Sequence, residues 1–312
     1  MIKNIYGKHT FYFSILTIFF SGIMLLIKDK FFFNDSIIAF ICFFLIISVG
    51  ISHGAMDNYK GKKILKIYKQ NNIIIFYIVY ILISLFVILF WSLFSSLSLL
   101  LFLIVASYHF GKEDTSFLHE GNSYFDQLFY LLKGSLIVFS PLFFQIEDTL
   151  MIFKILFLDD KILFFLKNEH WIINACVGFS FLGYIYFCFK NKFKDFEILF
   201  LDLFSILILN YVFSPLIAFT FYFCFLHSIR HIISISYELN QNSFVNGLKL
   251  FVKKALPLTI VTAFLYLLAV FFLSNNYGIN DVIIKVIFIG LASLTFPHIL
   301  LEYLIEINEK RN

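Results

Sequence analysis

Charge is what this 312-residue sequence has least of: Asp, Glu, Lys and Arg together make up 14%. With 61% hydrophobic residues and a mean hydropathy of +0.90, the chain cannot clothe itself as an ordinary soluble globule. No polar stretch is long enough to fold alone, so one polytopic domain over residues 1–312 is expected. Cysteine is scarce as well. Cys42, Cys176, Cys188 and Cys224 all lie in apolar runs without C-x-x-C spacing, which argues against a disulfide framework or a thiolate metal site. A cleavable leader is also missing. The first apolar run is long for a signal h-region, and no small-residue cleavage site precedes Lys28-Asp29-Lys30, so it reads as a retained helix. No internal repeat is visible.

What the sequence has instead is long apolar runs. About ten approach the roughly 20 residues that cross a bilayer core. They are 11–27, 37–54, 73–92, 96–111, 125–145, 171–189, 198–213, 215–237, 256–274 and 282–304. Each must satisfy its own backbone hydrogen bonds in hydrocarbon, so the expected fold is an all-α integral membrane bundle. Placing the N-terminus in the cytoplasm puts 16 Lys and Arg on that side and 5 on the other, leaving Lys133, Arg230 and Lys285 within spans. The positive-inside rule then gives N-in, C-in in the cell (inner) membrane. The net charge of +4 follows from this topology and needs no nucleic-acid partner. Residues 146–170 mix apolar and charged positions and are expected as a short amphipathic segment on the outer surface.

Histidine is the residue type that apolar spans ought to avoid. An imidazole inside a membrane segment marks a functional-site hypothesis, and neutral imidazole is the commonest protein metal ligand, suited to iron, copper or zinc. His53, His109, His227, His231 and His298 all sit in or at the edge of apolar segments. With the N-terminus inside, all five fall in the cytoplasmic half of the membrane. His227-x-x-x-His231 places two imidazoles on one helical face, one turn apart. That spacing alone equally fits two polar residues bonded inside the bundle. Arg230 between them needs a carboxylate, since an unpaired Arg at that depth costs about 3 kcal/mol or more. Asp57, Asp114 or Glu302 could supply it. Asp57 follows His53 by four residues and, if the helix continues, could hold the second imidazole nitrogen, or the pair could simply form a polar helix end. His298 and Glu302 repeat the spacing, with Pro297 expected to loosen the helix before them. His109 stands just before Gly111, read as a helix-ending glycine. His9, His119 and His170 read as solvated bystanders.

Together these segments resemble the Brp/Blh family of bacterial and archaeal membrane β-carotene 15,15′-dioxygenases. The motifs are His53-Gly54-x-x-Asp57, His109-Phe110-Gly111-x-x-Asp114, His227-x-x-Arg230-His231 and Pro297-His298, with Lys133-Gly134 and Pro141 as a basic-Gly element between them. Met56 departs from the more frequent Leu. The resemblance covers about residues 50–302 and implies central cleavage of β-carotene by O₂ at a non-haem Fe(II), giving two retinals. It further implies that His53, His109, His227 and His231 are the iron ligands and catalytic centre, with a microbial rhodopsin as a candidate recipient of retinal. Asp57, Asp114, Arg230, His298 and Glu302 are the candidates for positions around the metal or substrate. Four imidazoles leave up to two of six octahedral positions open, as oxygen activation requires. The 46 Phe residues could wall a carotene site, but most read as lipid-facing packing. A two-iron desaturase would need about eight clustered histidines and an HxxHH box, which is absent. A histidine-based transporter or a haem protein stays open as the alternative; an intense Soret band would single out haem.

Overall fold

The apolar runs are helices in the computed structural model, which describes residues 2–27, 34–52, 54–119, 121 and 123–309, and those residues contain no strand. In chain order the helices are α1 (Ile2–Ile27), α2 (Asp35–Ser48), α3 (Asp57–Ile67), α4 (Ile73–Leu93), α5 (Ser95–Ser116), α6 (Tyr124–Phe144) and α7 (Ile146–Ile155). They continue with α8 (Asp160–Asn168), α9 (His170–Lys190), α10 (Phe196–Val212), α11 (Pro215–Phe221), α12 (Ile229–Leu239), α13 (Phe244–Leu273) and α14 (Ile279–Glu309). Among the described residues, nine helical runs are long and apolar enough to cross a membrane. The tenth expected span is α10, whose 17 residues rise about 26 Å, a little short of a hydrocarbon core of about 30 Å. The outside of the bundle is apolar. Along α4 only Trp91 is buried, while Leu82, Phe86 and Leu89 are 60–64% exposed. Water would penalise such a surface and lipid does not, so the chain is an all-α, multi-pass membrane protein. The segment expected at the outer surface forms two short helices, α7 and α8, the second capped by Asp159 accepting from the Lys161 N–H at 2.8 Å.

Two local features depart from the sequence reading and both bear on the site. Helix α2 stops at Ser48, and the chain then runs through 3₁₀ turns at Gly50–Ser52 and Gly54–Met56 before Asp57 opens α3. The helix expected to carry residue 53 through to Asp57 is therefore broken, and His53 itself lies outside the described residues. The turn is pressed against the bundle: a Cβ on Gly50 would come within 2.6 Å of the Phe223 ring. Gly111 does not end its helix, since α5 continues to Ser116. A Cβ there would strike the Tyr130 carbonyl oxygen, and one on Gly134 would strike that of Ser107. The two glycines thus let α5 and α6 cross backbone to backbone, as small residues do in membrane bundles. Gly183 on α9 admits the Lys133 backbone in the same way, and the Lys133 ammonium rests 5.1 Å from the Tyr184 ring centroid. Pro297 is absorbed within α14 without breaking it.

Helix α1 turns its small polar face, Thr10, Ser14, Thr17 and Ser21, into the protein. Ser205 of α10 donates to Ser14 Oγ at 2.8 Å, closing a tight α1–α10 seam.

Candidate metal centre

Three helical runs bring four imidazoles together. Helix α5 carries His109 one turn before Glu113 and Asp114. The run from α11 to α12 is interrupted by a π-helical turn over Tyr222–Ser228, a rare element that recurs at functional sites, and it holds His227; His231 follows in α12. His298 projects from α14. Ring centroids lie 5.2 Å apart for His109–His227, 5.2 Å for His109–His298 and 5.6 Å for His231–His298. All four rings are buried, none more than 5% exposed. Of the candidates on described residues, His109, His227 and His231 do meet. His298, expected only beside the site, stands between His109 and His231.

Carboxylates hold these rings from behind. His227 Nδ1 lies 3.2 Å from Asp114 Oδ1, and Tyr222 donates to the other oxygen of Asp114 at 2.6 Å. His231 Nδ1 lies 3.0 Å from Glu113 Oε2. His298 Nδ1 is 2.8 and 3.0 Å from the two oxygens of Asp57, to which Tyr80 also donates at 2.9 Å. With Nδ1 engaged by a carboxylate, Nε2 on the far edge of each ring is the nitrogen suited to a metal, the usual arrangement behind metal-bound histidine. Glu302 joins the cluster, 3.8 Å from His109 Nδ1 and 3.4 Å from His298 Nε2, and accepts from Lys60 at 2.6 Å.

This donor set fits a divalent cation. Donor atoms of His109, His298 and Glu302 all lie within 4.8 Å of one another, as do those of Glu113, His231 and Glu302. Among the described residues, four carboxylates touch the imidazoles and Lys60 is hydrogen-bonded to one of them, Glu302, so carboxylates outnumber the lysine that pairs with them in the cluster. A bound dication offsets that surplus, and imidazole with carboxylate suits iron, zinc or copper.

Arg230 corrects the sequence reading. Its carboxylate partner is neither Asp57 nor Glu302, and Asp114 offers it only a backbone oxygen, at 3.5 Å. Both guanidinium nitrogens Nη1 and Nη2 pair with Asp202 of α10, at 2.8 and 2.6 Å, while Nη2 also reaches Thr10 Oγ1 at 2.6 Å. The Phe117 ring lies 5.1 Å away. Asp202, like Glu113 behind His231, is not among the residues the sequence singled out, although a lone carboxylate inside an apolar span was itself a signal. Asp57 likewise serves His298 and Tyr80 rather than Arg230. Two supposed bystanders have partners: His9 Nε2 meets the Phe225 carbonyl of the π turn at 2.8 Å, and His119 meets Asp126 at 3.2 Å. Tyr6 donates to the Arg230 carbonyl at 3.0 Å, so α1 grips the histidine-bearing run at two points.

A cavity of about 950 Å³ opens onto this cluster. Its walls are mostly apolar, including Trp91, Phe110, Phe223 and Tyr266, and Asp57, His109 and His298 lie on its boundary. Asp57 therefore connects the metal side to the cavity side. Asp57→Asn should lower metal affinity about 10–100-fold, because it weakens the hold on the His298 ring without removing a metal donor. Titration with a divalent metal checks this; a variant that binds as tightly as the parent would detach Asp57 from the site.

Fold and site together define a polytopic membrane protein with a buried histidine–carboxylate centre beside an apolar chamber. Residues 44–306 match the sequence profile of the beta-carotene 15,15'-dioxygenase family, and the chain belongs to that family. A curated relative named beta-carotene 15,15'-dioxygenase, from uncultured marine bacterium 66A03, is 26% identical over 265 residues, spanning 82% of this chain and 90% of its own length. No solved structure matches the chain.

Proposed function

We propose that this protein cleaves the central double bond of β-carotene with O₂, giving two molecules of retinal, at a non-haem Fe(II) held by His53, His109, His227 and His231. The observation that carries the reading is the juxtaposition, in a member of this family, of a buried imidazole cluster and a cavity of about 950 Å³ with largely apolar walls. A carotene is a hydrocarbon, so a site for it positions by shape and apolar contact. His53 is included on the family motif His53-Gly54-x-x-Asp57, and its sequence neighbours Ile51, Gly54 and Ala55 line that cavity.

Iron(II) supplies the redox chemistry that lets O₂ react with a closed-shell alkene. The chain's own groups do the rest. Asp114 and Glu113 fix His227 and His231 by their Nδ1 atoms, so the rings need no reorientation during turnover. Phe110, 4.7 Å from the His227 ring centroid, and Phe223, 5.8 Å from it, give the reacting bond a water-poor aromatic wall. One C=C bond breaks, two C=O bonds form, and each half takes one oxygen atom, so no external reductant is needed. The N-in, C-in orientation in the cytoplasmic membrane, within one polytopic domain, belongs to the same proposal, as does a rhodopsin as recipient of the retinal. Substrate then enters sideways from the bilayer.

Expression in a β-carotene-producing bacterium tests the activity. The expected result is loss of orange colour and appearance of retinal by chromatography. Unchanged carotene in cells whose membranes contain the protein would refute it.

A further inference from the structure

The large cavity is not symmetric about the histidines. On α4 and just beyond, its lining runs from Phe76 to Ser95, a rise of about 28 Å at 1.5 Å per residue. Tyr80 marks the level of the metal cluster on that wall, through its bond to Asp57 and that residue's bond to His298. From Tyr80 the lining extends about 22 Å one way, to Ser95, and only about 6 Å the other way, to Phe76. Helix α14 agrees, because its lining begins at Lys285 and stops at His298. A single long arm leaves the cluster.

A second cavity, of about 270 Å³, shares His109 with the first. It lies between α5 and α14, walled by Val105, Phe296, Ile299 and Leu300, with Tyr108, Lys112 and Glu302 on its polar side. Phe296, Ile299, Leu300 and Tyr303 fall on the face of α14 turned away from His298, at about 100° per residue. Leu300 and Tyr303 are 43% and 57% exposed, so the mouth of this cavity opens on the outside of the bundle.

A polyene cut at its midpoint needs equal reach on both sides of the metal. We propose that the small cavity between α5 and α14 is the subsite for the second half of the substrate, so that a long apolar polyene lies across His109 with one half in each cavity. The segment next to the cut is held by Val105, Phe296, Ile299 and Leu300, and the far ring projects through the mouth into lipid. This rests on the carotene-cleaving reading above, and it assigns that reading its register: the cut falls at the junction of the two cavities.

The test uses the full-length protein in membranes or detergent. Its two substrates are β-carotene and an apo-carotenal that keeps one whole half and is truncated on the other. Leu300→Trp fills the small cavity, and the ratio of kcat/KM for β-carotene over the truncated substrate should fall about tenfold or more, as when a hydrophobic pocket loses room. An equally bulky change on the long arm, Leu85→Trp, should slow both substrates and leave the ratio near the parental value. A mild change, Leu300→Cys, gives a readout that needs no turnover. Under anaerobic conditions β-carotene should slow its labelling by a membrane-permeant thiol reagent, followed by mass spectrometry at that residue, and the truncated substrate should protect it less. A parental ratio in Leu300→Trp protein that retains iron, or equal labelling of the cysteine with and without β-carotene, would overturn the subsite. Failure of the parent to make retinal from β-carotene would instead refute the function on which it rests.

Discussion

Replacing His227 or His231 with alanine should abolish iron binding and retinal formation while the protein still accumulates in the membrane. Each ring is at most 4% exposed and is fixed from behind by a carboxylate, so it is aimed at the cluster rather than at lipid or solvent. Loss of a carboxylate behind a ligand commonly costs 10–100-fold, and loss of the ligand itself should cost more, about 100-fold at least. The fold should survive, because α5, α6 and α9 interlock through glycine contacts that the substitution leaves alone. His53→Ala and His109→Ala should behave alike. Metal analysis of the purified variants, with retinal quantified by chromatography, checks this. Near-parental iron and activity in two or more of the four variants would mean that the ligand set is wrong, and His298 would be the first replacement to examine.

Arg230→Met should cause a large loss of stability. It would strand the Asp202 carboxylate, 1% exposed, without the bidentate partner that now holds it at 2.6 and 2.8 Å. Breaking one side of a buried pair typically costs about 3–5 kcal/mol, because the remaining charge stays buried and uncompensated. The double variant Arg230→Met with Asp202→Asn removes both charges and should recover much of that loss. Thermal unfolding of the detergent-solubilised proteins measures the coupling. Strictly additive losses would show that the pair does not act as a unit.

Element type was readable from sequence and element partnership was not. Long apolar runs without charge can only be helices in lipid, and the spacing of His227 and His231 already placed two imidazoles on one face. The π turn that carries His227 leaves no periodic trace, since one extra residue in a turn looks like ordinary helix in sequence. Carboxylate pairing was also hidden. Asp57 and His298 are 241 residues apart, and Arg230 reaches back 28 residues to Asp202, distances over which local spacing says nothing. Gly111 misled for a related reason: a glycine in a helical run can end the helix or admit a neighbour, and only the neighbour's position decides. His9 lies near a polar terminus, which by itself suggests a solvated ring, yet the π turn offers it a carbonyl.

Under the proposed function, this protein splits the middle bond of β-carotene and places one atom of O₂ in each half. Purified protein loaded with Fe(II) and supplied with β-carotene under ¹⁸O₂ tests it most directly, with the aldehydes identified by mass spectrometry. About one iron per chain, retinal as the only aldehyde, and ¹⁸O in both halves of the cleaved molecule are expected. A ladder of longer apo-carotenals, or label confined to one half with the other oxygen drawn from water, would contradict it.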